Sequence, residues 1–296
     1  MLRRWPVSKN FRDTSVTAPS ESLLDHFHAQ TPIRTGSLIV SIFGDAVVPR
    51  GGVLSLSSLL EITRAFRIGD GLVRTALSRL VTDGWFERWK LGRNSFYRLT
   101  PSGNEAFAAA TQRIYASAPT PWSGAFDLLI LDGAEGRGGL QESGYGMIGP
   151  GLFVSAGAIP AADGALHLSA KPADTATARK VVAKAWPLDE IAARYGRFLA
   201  VYQRLPAGLA AAKSAPLDAL VMRILLIHDF RRAVLRDPLL PVELLPEGWP
   251  GSQARGLCAE IYRLLVGPSE AWLDAHAEND HGALPKASTS FASRFR

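Results

Sequence analysis

The sequence has few of the features that mark secreted, membrane-spanning or disulfide-stabilised proteins. Cys258 is the one cysteine among 296 residues, so no disulfide can form within the chain, and we expect a reducing, cytoplasmic environment. The longest strongly apolar stretch, Ala219–His228, spans roughly ten residues, whereas a membrane helix needs about 20. The basic N-terminus is not followed by an apolar run, which predicts no signal peptide.

Catalytic and metal-binding templates are also missing. The sequence contains no HExxH motif and no P-loop, and His276 and His281 match no metal-ligand spacing. Residues Gly144–Gly149 fit GxGxxG, but a strand rather than a helix is predicted to follow, so we interpret them as a loop. We therefore expect no catalytic residues, no metal and no cofactor.

The positive charge of the chain is confined to its first part. Lys and Arg number 33 against 27 Asp and Glu, a net charge of +6. Residues 1–120 contain 15 basic and 9 acidic residues, and residues 121–296 contain 18 of each. A localised excess of this kind predicts a polyanionic partner for the first part alone.

This basic part has the pattern of a DNA-binding motif. Apolar spacing predicts helices at Ser37–Ala46, Ser57–Phe66 and Asp70–Thr82, followed by strands at Trp85–Leu91 and Ser95–Leu99. We expect Ser57 and Asp70 to cap their helices, and the third helix to bury Leu72, Val73, Ala76, Leu77 and Leu80. Two paired helices before a two-stranded ribbon predict a winged helix-turn-helix, whose second paired helix enters the major groove.

The polar residues of these elements are the candidate DNA contacts. Arg74, Thr75 and Ser78 lie on the outer face of the third helix and are expected to face the major groove. Expected backbone or minor-groove contacts are Arg79, Arg88, Lys90, Arg93, Asn94 and Ser95. Arg50 precedes Gly51 and Gly52, so it either contacts a phosphate or belongs to a turn with positive φ.

The remaining three-fifths of the sequence divides into a small mixed unit and a helical part. After a proline-containing linker near Pro119, strands are predicted at Phe126–Asp132, Leu152–Ala156 and Ala165–Ala170, and a helix at Asp174–Ala185. Further helices are predicted at Leu188–Tyr202, Leu217–Leu235, Ser252–Val266 and Ser269–Ala277, the last two separated by Gly267-Pro268.

Three blocks carry a resemblance to a known family. They are Thr35–Gly52, Val73–Gly103 and Leu225–Leu265, the last containing HDFRR and RDPLLP. With these blocks the chain resembles the PaaX family of phenylacetate-degradation transcriptional repressors. The resemblance implies a multidomain α+β fold with an N-terminal winged helix-turn-helix, a central ferredoxin-like unit and a C-terminal helical domain. The connection before Ala165 is shorter than the family's, so the central unit is trimmed.

The expected boundaries follow from this division. They are a mobile segment with a short helix at 1–35, the DNA-binding domain at 36–118, the central domain at 119–185, the helical domain at 186–285 and a polar tail at 286–296.

The resemblance also implies an effector, an aryl-CoA thioester such as phenylacetyl-CoA. Candidate effector contacts are Trp186, Tyr195, Arg197, His228, Arg231 and Arg232, because guanidinium groups bind phosphate and aromatic rings can wall an aryl group. The alternatives are a buried, hydrogen-bonded histidine, arginines paired with Asp229, and aromatic side chains in the core.

The function expected from the resemblance is that of a repressor of an aromatic catabolic operon. It would bind an inverted-repeat operator as a homodimer and be released by the thioester, with no membrane association. Two alternatives stay open at this point: an aryl-CoA-handling enzyme with an incidental basic domain, and a non-specific nucleic-acid binder.

Overall fold

A computed structural model describes residues 19–30, 34–115, 121–131, 139–140, 144–157, 165–211 and 214–295 of the chain. Within these residues the fold is mixed α+β, with small antiparallel sheets among many helices. No helix in these ranges is long and apolar enough to cross a membrane.

The first part alternates helices with a three-stranded sheet. Its elements are α1 (Pro19–Ala29), α2 (Thr35–Ile42), a π-helical turn (Phe43–Val47), a 3₁₀ turn (Val48–Arg50), β1 (Val53–Ser55), α3 (Leu56–Ala65), α4 (Asp70–Thr82), β2 (Phe86–Leu91), β3 (Asn94–Leu99) and α5 (Pro101–Tyr115). The strand order is β1-β3-β2, with antiparallel pairs throughout. The helices and the hairpin lie where the sequence predicts them, and β1 is an addition.

Local capping differs from the sequence expectation. The N-cap of α3 is Ser55, whose hydroxyl accepts from the Ser58 amide at 3.1 Å, and not Ser57. Helix α4 begins at Asp70 after Gly69, and the Asp70 carboxylate binds Arg64 instead of capping. At α3 the prediction was wrong because Ser55, Ser57 and Ser58 all stand near the helix start and the sequence does not rank them. At α4 it was wrong because Asp70 is the first helical residue and not the residue before it.

A tight turn joins the two strands of the hairpin. Leu91 and Asn94 pair directly, leaving Gly92 and Arg93 as a two-residue loop. Gly92 has φ +60°, the left-handed value that a type II′ turn requires at its first position. Arg93, the second residue of this loop, is exposed.

The middle of the chain forms a separate four-stranded sheet. Its strands are β4 (Phe126–Ile130), β5 (Gly146–Gly149), β6 (Leu152–Ser155) and β7 (Leu166–Ala170), in the order β5-β6-β4-β7. Every neighbouring pair is antiparallel, and Leu128 faces Val154 on one side and Leu168 on the other. The sheet has its own core, shared with the following helix.

The glycine-rich segment at 144–149 corrects the sequence interpretation as a loop. Gly146–Gly149 is strand β5, at one edge of the sheet. A Cβ on Gly146 would lie 2.6 Å from the Trp186 ring and 2.7 Å from Ala185 Cβ, so close packing explains that glycine. No helix follows the segment directly, since β6 does, and it therefore lacks the helix N-terminus that a dinucleotide fold needs.

The last part is mostly helical. It contains α6 (Thr175–Ala185), α7 (Leu188–Tyr202), α8 (Leu205–Ala211), α9 (Pro216–Val234) and α10 (Pro250–His276), then a small ribbon of β8 (Glu278–Asn279) and β9 (Gly282–Ala283). The predicted break at Gly267-Pro268 is wrong, because α10 continues through Pro268. The next residue, Ser269, is fully buried and hydrogen-bonded to Val266 O and Arg223, so packing outweighs the local cost of proline.

One hydrophobic core joins the first part to the last. Helices α1 to α5 share a buried cluster with α7, α9 and α10. Helix α1 buries Leu23, Leu24 and Phe27 in it, so residues 19–29 are not the mobile segment that the sequence predicts, and residues 1–18 lie outside the described ranges. The two parts therefore cannot move independently without opening this core.

The end of the chain is also part of the structure. We call residues 286–295 the C-terminal strap. The Ser288 amide donates to Pro49 O at 2.8 Å, and the Phe295 amide donates to Tyr115 O at 3.2 Å. The expectation of a polar tail is thus wrong for these residues, because Phe291 and Phe295 pack against the common core.

Candidate functional site

The outer face of α4 presents a row of exposed polar side chains. Arg74 and Ser78 are four residues apart, as are Thr75 and Arg79, so each pair shares a helical face. All four side chains are exposed, and Thr75 Oγ1 donates to Gly71 O at 2.9 Å. The structure thus brings together the residues that the sequence predicts on this helix.

Leu72 is exposed, although the sequence predicts it in the buried stripe. Its side chain is 63% exposed, whereas Val73 and Leu77 carry the packing of α4. Leu72 lies three residues before Thr75 and seven before Arg79, on the face that points to solvent. An exposed leucine beside polar groups is the one feature of this face that sequence reasoning missed.

The hairpin adds a second set of cations to the same part of the molecule. Arg88, Lys90, Arg93 and Asn94 are exposed. Ser95 is a correction, because it is only 8% exposed and accepts a hydrogen bond from Arg88 Nη2 at 3.1 Å. Ser95 therefore positions Arg88 and has no surface of its own for a ligand.

Ion pairing separates these cations into two classes. Arg64 pairs with Asp70 at 2.6 Å, Arg98 pairs with Glu87 at 2.7 Å, and Arg67 binds Glu21 and Asp25. No carboxylate in the described ranges pairs with Arg74, Arg79, Arg88, Lys90 or Arg93. The second class leaves uncompensated positive charge on α4 and the hairpin, which is what a phosphate backbone binds.

Arg50 does not belong to this surface. It is 1% exposed, and its guanidinium binds Glu270 Oε2 at 2.5 Å and Asp274 Oδ1 at 2.9 Å. Gly51 and Gly52 have φ of +92° and +77°. Of the two interpretations left open, the turn is therefore the one observed, and a phosphate contact is ruled out by burial.

Asp45 lies at the centre of a buried polar network that sequence reasoning missed. Its carboxylate accepts from Tyr115 at 2.6 Å, from Arg223 at 2.6 Å, and from Tyr262 and Arg294 at 2.9 and 3.0 Å. We call these five residues the Asp45 network. Burial and the Asp45 charge together raise the pKa of Tyr115 well above its usual value. The sequence feature that could have revealed this network is Asp45 itself, a carboxylate within a predicted helix of mostly apolar residues.

His228 is buried beside α2 and α1. It is 4% exposed, its Nδ1 lies 2.9 Å from Ser41 Oγ, and Phe27 packs against its ring edge-to-face. Burial, followed by the charges of Arg231 and Arg232, lowers its pKa to about 3. The structure thus matches the alternative of a hydrogen-bonded core histidine.

Next to His228 the surface opens into a cavity of about 470 Å³ that we call the arginine pocket. It is lined by Phe27, Gln30, Arg34, Ser37, Arg194, His228, Arg231, Arg232, Leu235 and Arg236. No carboxylate lines this cavity, and none of the five arginines forms an ion pair within the described ranges. Five guanidinium groups around one opening favour a ligand with several negative charges.

Three of these arginines were not predicted from the sequence as effector contacts, because they lie on segments far apart in the chain. Arg34 precedes α2, Arg194 lies on α7, and Arg236 follows α9. Asp229, the expected partner of the arginine pair, instead accepts from Tyr202 at 3.0 Å. Arg232 donates to Gln30, so the pocket retains its positive charge.

The other candidate effector residues are distributed around neighbouring cavities. Trp186 donates to Gly144 O at 3.2 Å and lines a cavity that shares Arg194, Leu235 and Arg236 with the arginine pocket. Tyr195 donates to Asp237 at 2.7 Å and lines a different cavity, of about 360 Å³, beside Trp249. Arg197 is exposed and lines none of these cavities, so the structure does not bring it to the others.

Metal binding has no support in the described residues. No group of three His, Cys, Asp or Glu side chains in those ranges could hold an ion. His276 stacks on Trp272, and Cys258 is buried, where burial raises the pKa of its thiol well above the usual value.

Comparison with known proteins identifies the family. Residues 34–103 match the model of the PaaX-like protein family, and residues 186–275 match that of the PaaX-like protein C-terminal domain. The transcriptional repressor PaaX of Escherichia coli is 33% identical, over 93% of this chain and 94% of its own, and is named as a regulator rather than an enzyme. A solved structure of an uncharacterized protein from Mycobacterium tuberculosis covers 73% of this chain and 89% of that chain, with 21% identity and a TM-score of 0.48. The two family matches and the Escherichia coli repressor confirm the resemblance, and the chain belongs to the PaaX-like family.

Proposed function

We propose that this protein is a transcriptional repressor of an aromatic catabolic operon, and that its α4 helix and β2-β3 hairpin bind the operator. The observation that carries the proposal is the set of exposed, unpaired cations on these two elements. A repressor with 33% identity across 93% of the chain supports the same role.

The order of elements supports a winged helix-turn-helix as the DNA-binding unit. Helices α3 and α4 are joined by the short turn at 66–69, and β2 and β3 form the wing. In this architecture α4 lies in the major groove and the wing lies along the backbone. Arg74 and Ser78 then read base edges, Leu72 contacts a thymine methyl group, and Arg93 binds phosphate.

The middle sheet supports a shortened ferredoxin-like unit. Its strand order β5-β6-β4-β7, with antiparallel pairs throughout, corresponds to that arrangement. Helix α6 comes after β7, and β6 and β7 are joined by residues 156–165. Strand β7 lies at one edge of the sheet, where Leu166 and Leu168 are 64% and 51% exposed.

We assign the homodimer contact to this edge. A strand at a sheet edge has unpaired backbone groups, and a two-fold axis lets the same strand of a second copy pair with it. Replacement of Leu168 by lysine places a charge on this contact and is expected to yield monomers in light scattering after size exclusion. Replacement of the similarly exposed Leu264 on α10, which is 44% exposed, serves as the control. An unchanged dimer in the Leu168→Lys variant would place the contact elsewhere.

The arginine pocket supports an acyl-CoA effector such as phenylacetyl-CoA. Coenzyme A carries a diphosphate and a 3′-phosphate, and guanidinium groups bind phosphates by paired hydrogen bonds. Arg231 in this pocket also donates to Ser37 Oγ at 2.6 Å, and Ser37 lies on α2 of the DNA-binding part. A ligand here releases DNA by binding the DNA-incompetent state more tightly, and DNA must weaken ligand binding by the same factor.

The test is a mobility-shift assay on DNA from upstream of the protein's own gene. We expect a complex that resists excess random DNA and dissociates with phenylacetyl-CoA but not with free phenylacetate or CoA. Arg74→Ala should relax base preference at one position by about 1–3 kcal/mol, and Arg64→Ala, whose side chain is paired with Asp70, is the matched control. Loss of the complex to random DNA would instead indicate a non-specific binder.

A further inference from the structure

Arg231 is a half-buried cation that forms no ion pair within the described ranges, and it lies between two cavities. Its Nη2 donates to Ser37 O and Oγ at 3.2 and 2.6 Å, and its Nε is buried with no hydrogen-bond partner in the described ranges. Burial and the neighbouring charge of Arg232 lower the pKa of Arg231 to about 10. An uncompensated, partly desolvated cation is costly, so an acceptor atom brought to Nε would be stabilised.

The second cavity next to Arg231 is apolar and lies between the DNA-binding part and α9. Its volume is about 240 Å³, and its walls include Trp85, Phe107, Ala110, Ile114, Tyr115 and Ile227. We call it the apolar cavity. An apolar cavity of about 150 Å³ is enough for a benzene ring, so this one has room for a ring and a short linker.

The apolar cavity adjoins the arginine pocket. Arg231 and Leu235 line both of them. Of the residues that the sequence analysis places around the aryl group, Tyr195 lines a cavity that shares no residue with the arginine pocket. Trp186 lines one that does share residues with it, but charged side chains of both signs, including Glu190 and Asp237, line that cavity, which does not suit an aryl group. A ligand whose anionic end occupies the arginine pocket therefore reaches the apolar cavity more directly than the Tyr195 cavity.

We propose that the apolar cavity is the acyl pocket of the effector, with Arg231 donating from Nε to the thioester carbonyl oxygen. This inference rests on the proposed function, since it locates the acyl end of the same effector. The walls of the cavity come from α2 and α5 on one side and α9 on the other. An acyl group there inserts between the DNA-binding part and the helical part, which is where a ligand can alter the position of α4.

The test compares binding of phenylacetyl-CoA and CoA to the full chain by calorimetry. Ala110→Phe fills the apolar cavity, and Gly256→Phe, at an exposed position on the rim of the Tyr195 cavity with no atom near its Cβ site, is the matched control. In the wild-type protein and the control, the phenylacetyl group should raise affinity about 10- to 100-fold over CoA. In Ala110→Phe this gain should disappear while CoA affinity is unchanged.

The other outcomes are equally specific. Equal gain in Ala110→Phe and wild type, or loss of the gain in Gly256→Phe alone, overturns the acyl-pocket assignment while leaving the effector proposal intact. No binding of phenylacetyl-CoA to the wild-type protein refutes the proposed effector and the pocket with it. If Ala110→Phe has lost its native circular dichroism spectrum, Ala106→Phe is used instead, because Ala106 lines the same cavity with an exposed side chain.

Discussion

At the scale of single residues, the charges of the Asp45 network are held by specific partners rather than by solvent. Asp45 and Arg223 are both fully buried and meet at 2.6 Å. A buried ion pair contributes little net stability compared with apolar packing, yet removal of one partner leaves the other charge unpaired. The cost of breaking such a pair is therefore much larger than the benefit of having it.

The first prediction at this scale concerns Asp45→Asn. We expect the free energy of unfolding to fall by about 3–5 kcal/mol, because Arg223 and Arg294 lose their shared carboxylate inside the core. Urea titration followed by circular dichroism measures the change. Asp70→Asn removes a carboxylate from the exposed pair with Arg64 and should have little effect. A similar loss in both variants would contradict the argument from burial.

The second prediction concerns the pH dependence contributed by His228. Its pKa of about 3 in the folded protein lies below the ordinary value of 6.5, so the unfolded chain takes up a proton first as pH falls. The contribution of neutral His228 to the free energy of unfolding is fully present above pH 6.5. It is lost as the pH falls toward 3, at a rate approaching about 1.4 kcal/mol per pH unit. His228→Gln should flatten the dependence of the unfolding free energy on pH between 6 and 4. His281→Gln, at a side chain 87% exposed, should not.

At the scale of elements, the helix α4 and the hairpin could be predicted from the sequence, whereas their packing partners could not. The periodic apolar residues of α4 and the glycine of the hairpin turn are local signals, and the structure has both elements. Leu72, Ser95 and Arg50 were misplaced because their exposure depends on which neighbours fold against them. Arg34, Arg194 and Arg236 meet only through tertiary contacts, so no spacing in the sequence reveals their pocket.

The hairpin allows a matched test of phosphate binding. Arg93 and Arg98 are both exposed on it, but Arg98 is paired with Glu87 and lies over the Trp89 ring. We expect Arg93→Ala to weaken binding to all DNA sequences and to reduce the slope of log K against log salt by about one. Arg98→Ala should leave the slope unchanged in the same fluorescence anisotropy titrations. A loss restricted to the operator in Arg93→Ala would instead make it a base-reading residue.

At the scale of the whole molecule, the first part of the chain and the last, helical part share one core, and the middle sheet has a separate core. The sequence predicts three independent domains because composition and punctuation divide it that way. The Asp45 network and the C-terminal strap join segments that are more than 200 residues apart. Contacts at such separations produce no periodic pattern in the sequence. In the repressor mechanism that we propose, a signal from the arginine pocket to α4 would therefore pass through packed side chains rather than a flexible linker.

The contacts of the C-terminal strap predict which elements lose local stability when the strap is removed. Removal of residues 288–296 takes away Arg294 and Phe295 from Asp45 and Tyr115. In hydrogen–deuterium exchange we expect faster exchange in both α2 and α9, while strands β4 to β7 keep their protection. The sheet thus serves as an internal control. Faster exchange limited to the peptides next to the cut would show that the strap does not stabilise the common core.

The position of Arg294 has a consequence for synthesis of the protein. It follows Asp45 by 249 residues in the chain. At about 5–20 residues per second, a ribosome makes Arg294 about 12–50 s after Asp45. A nascent chain therefore carries the complete first part of the fold, including α4 and the hairpin, well before the buried Asp45 carboxylate has its last cation. It reaches its final fold only when the far end of the chain has been made.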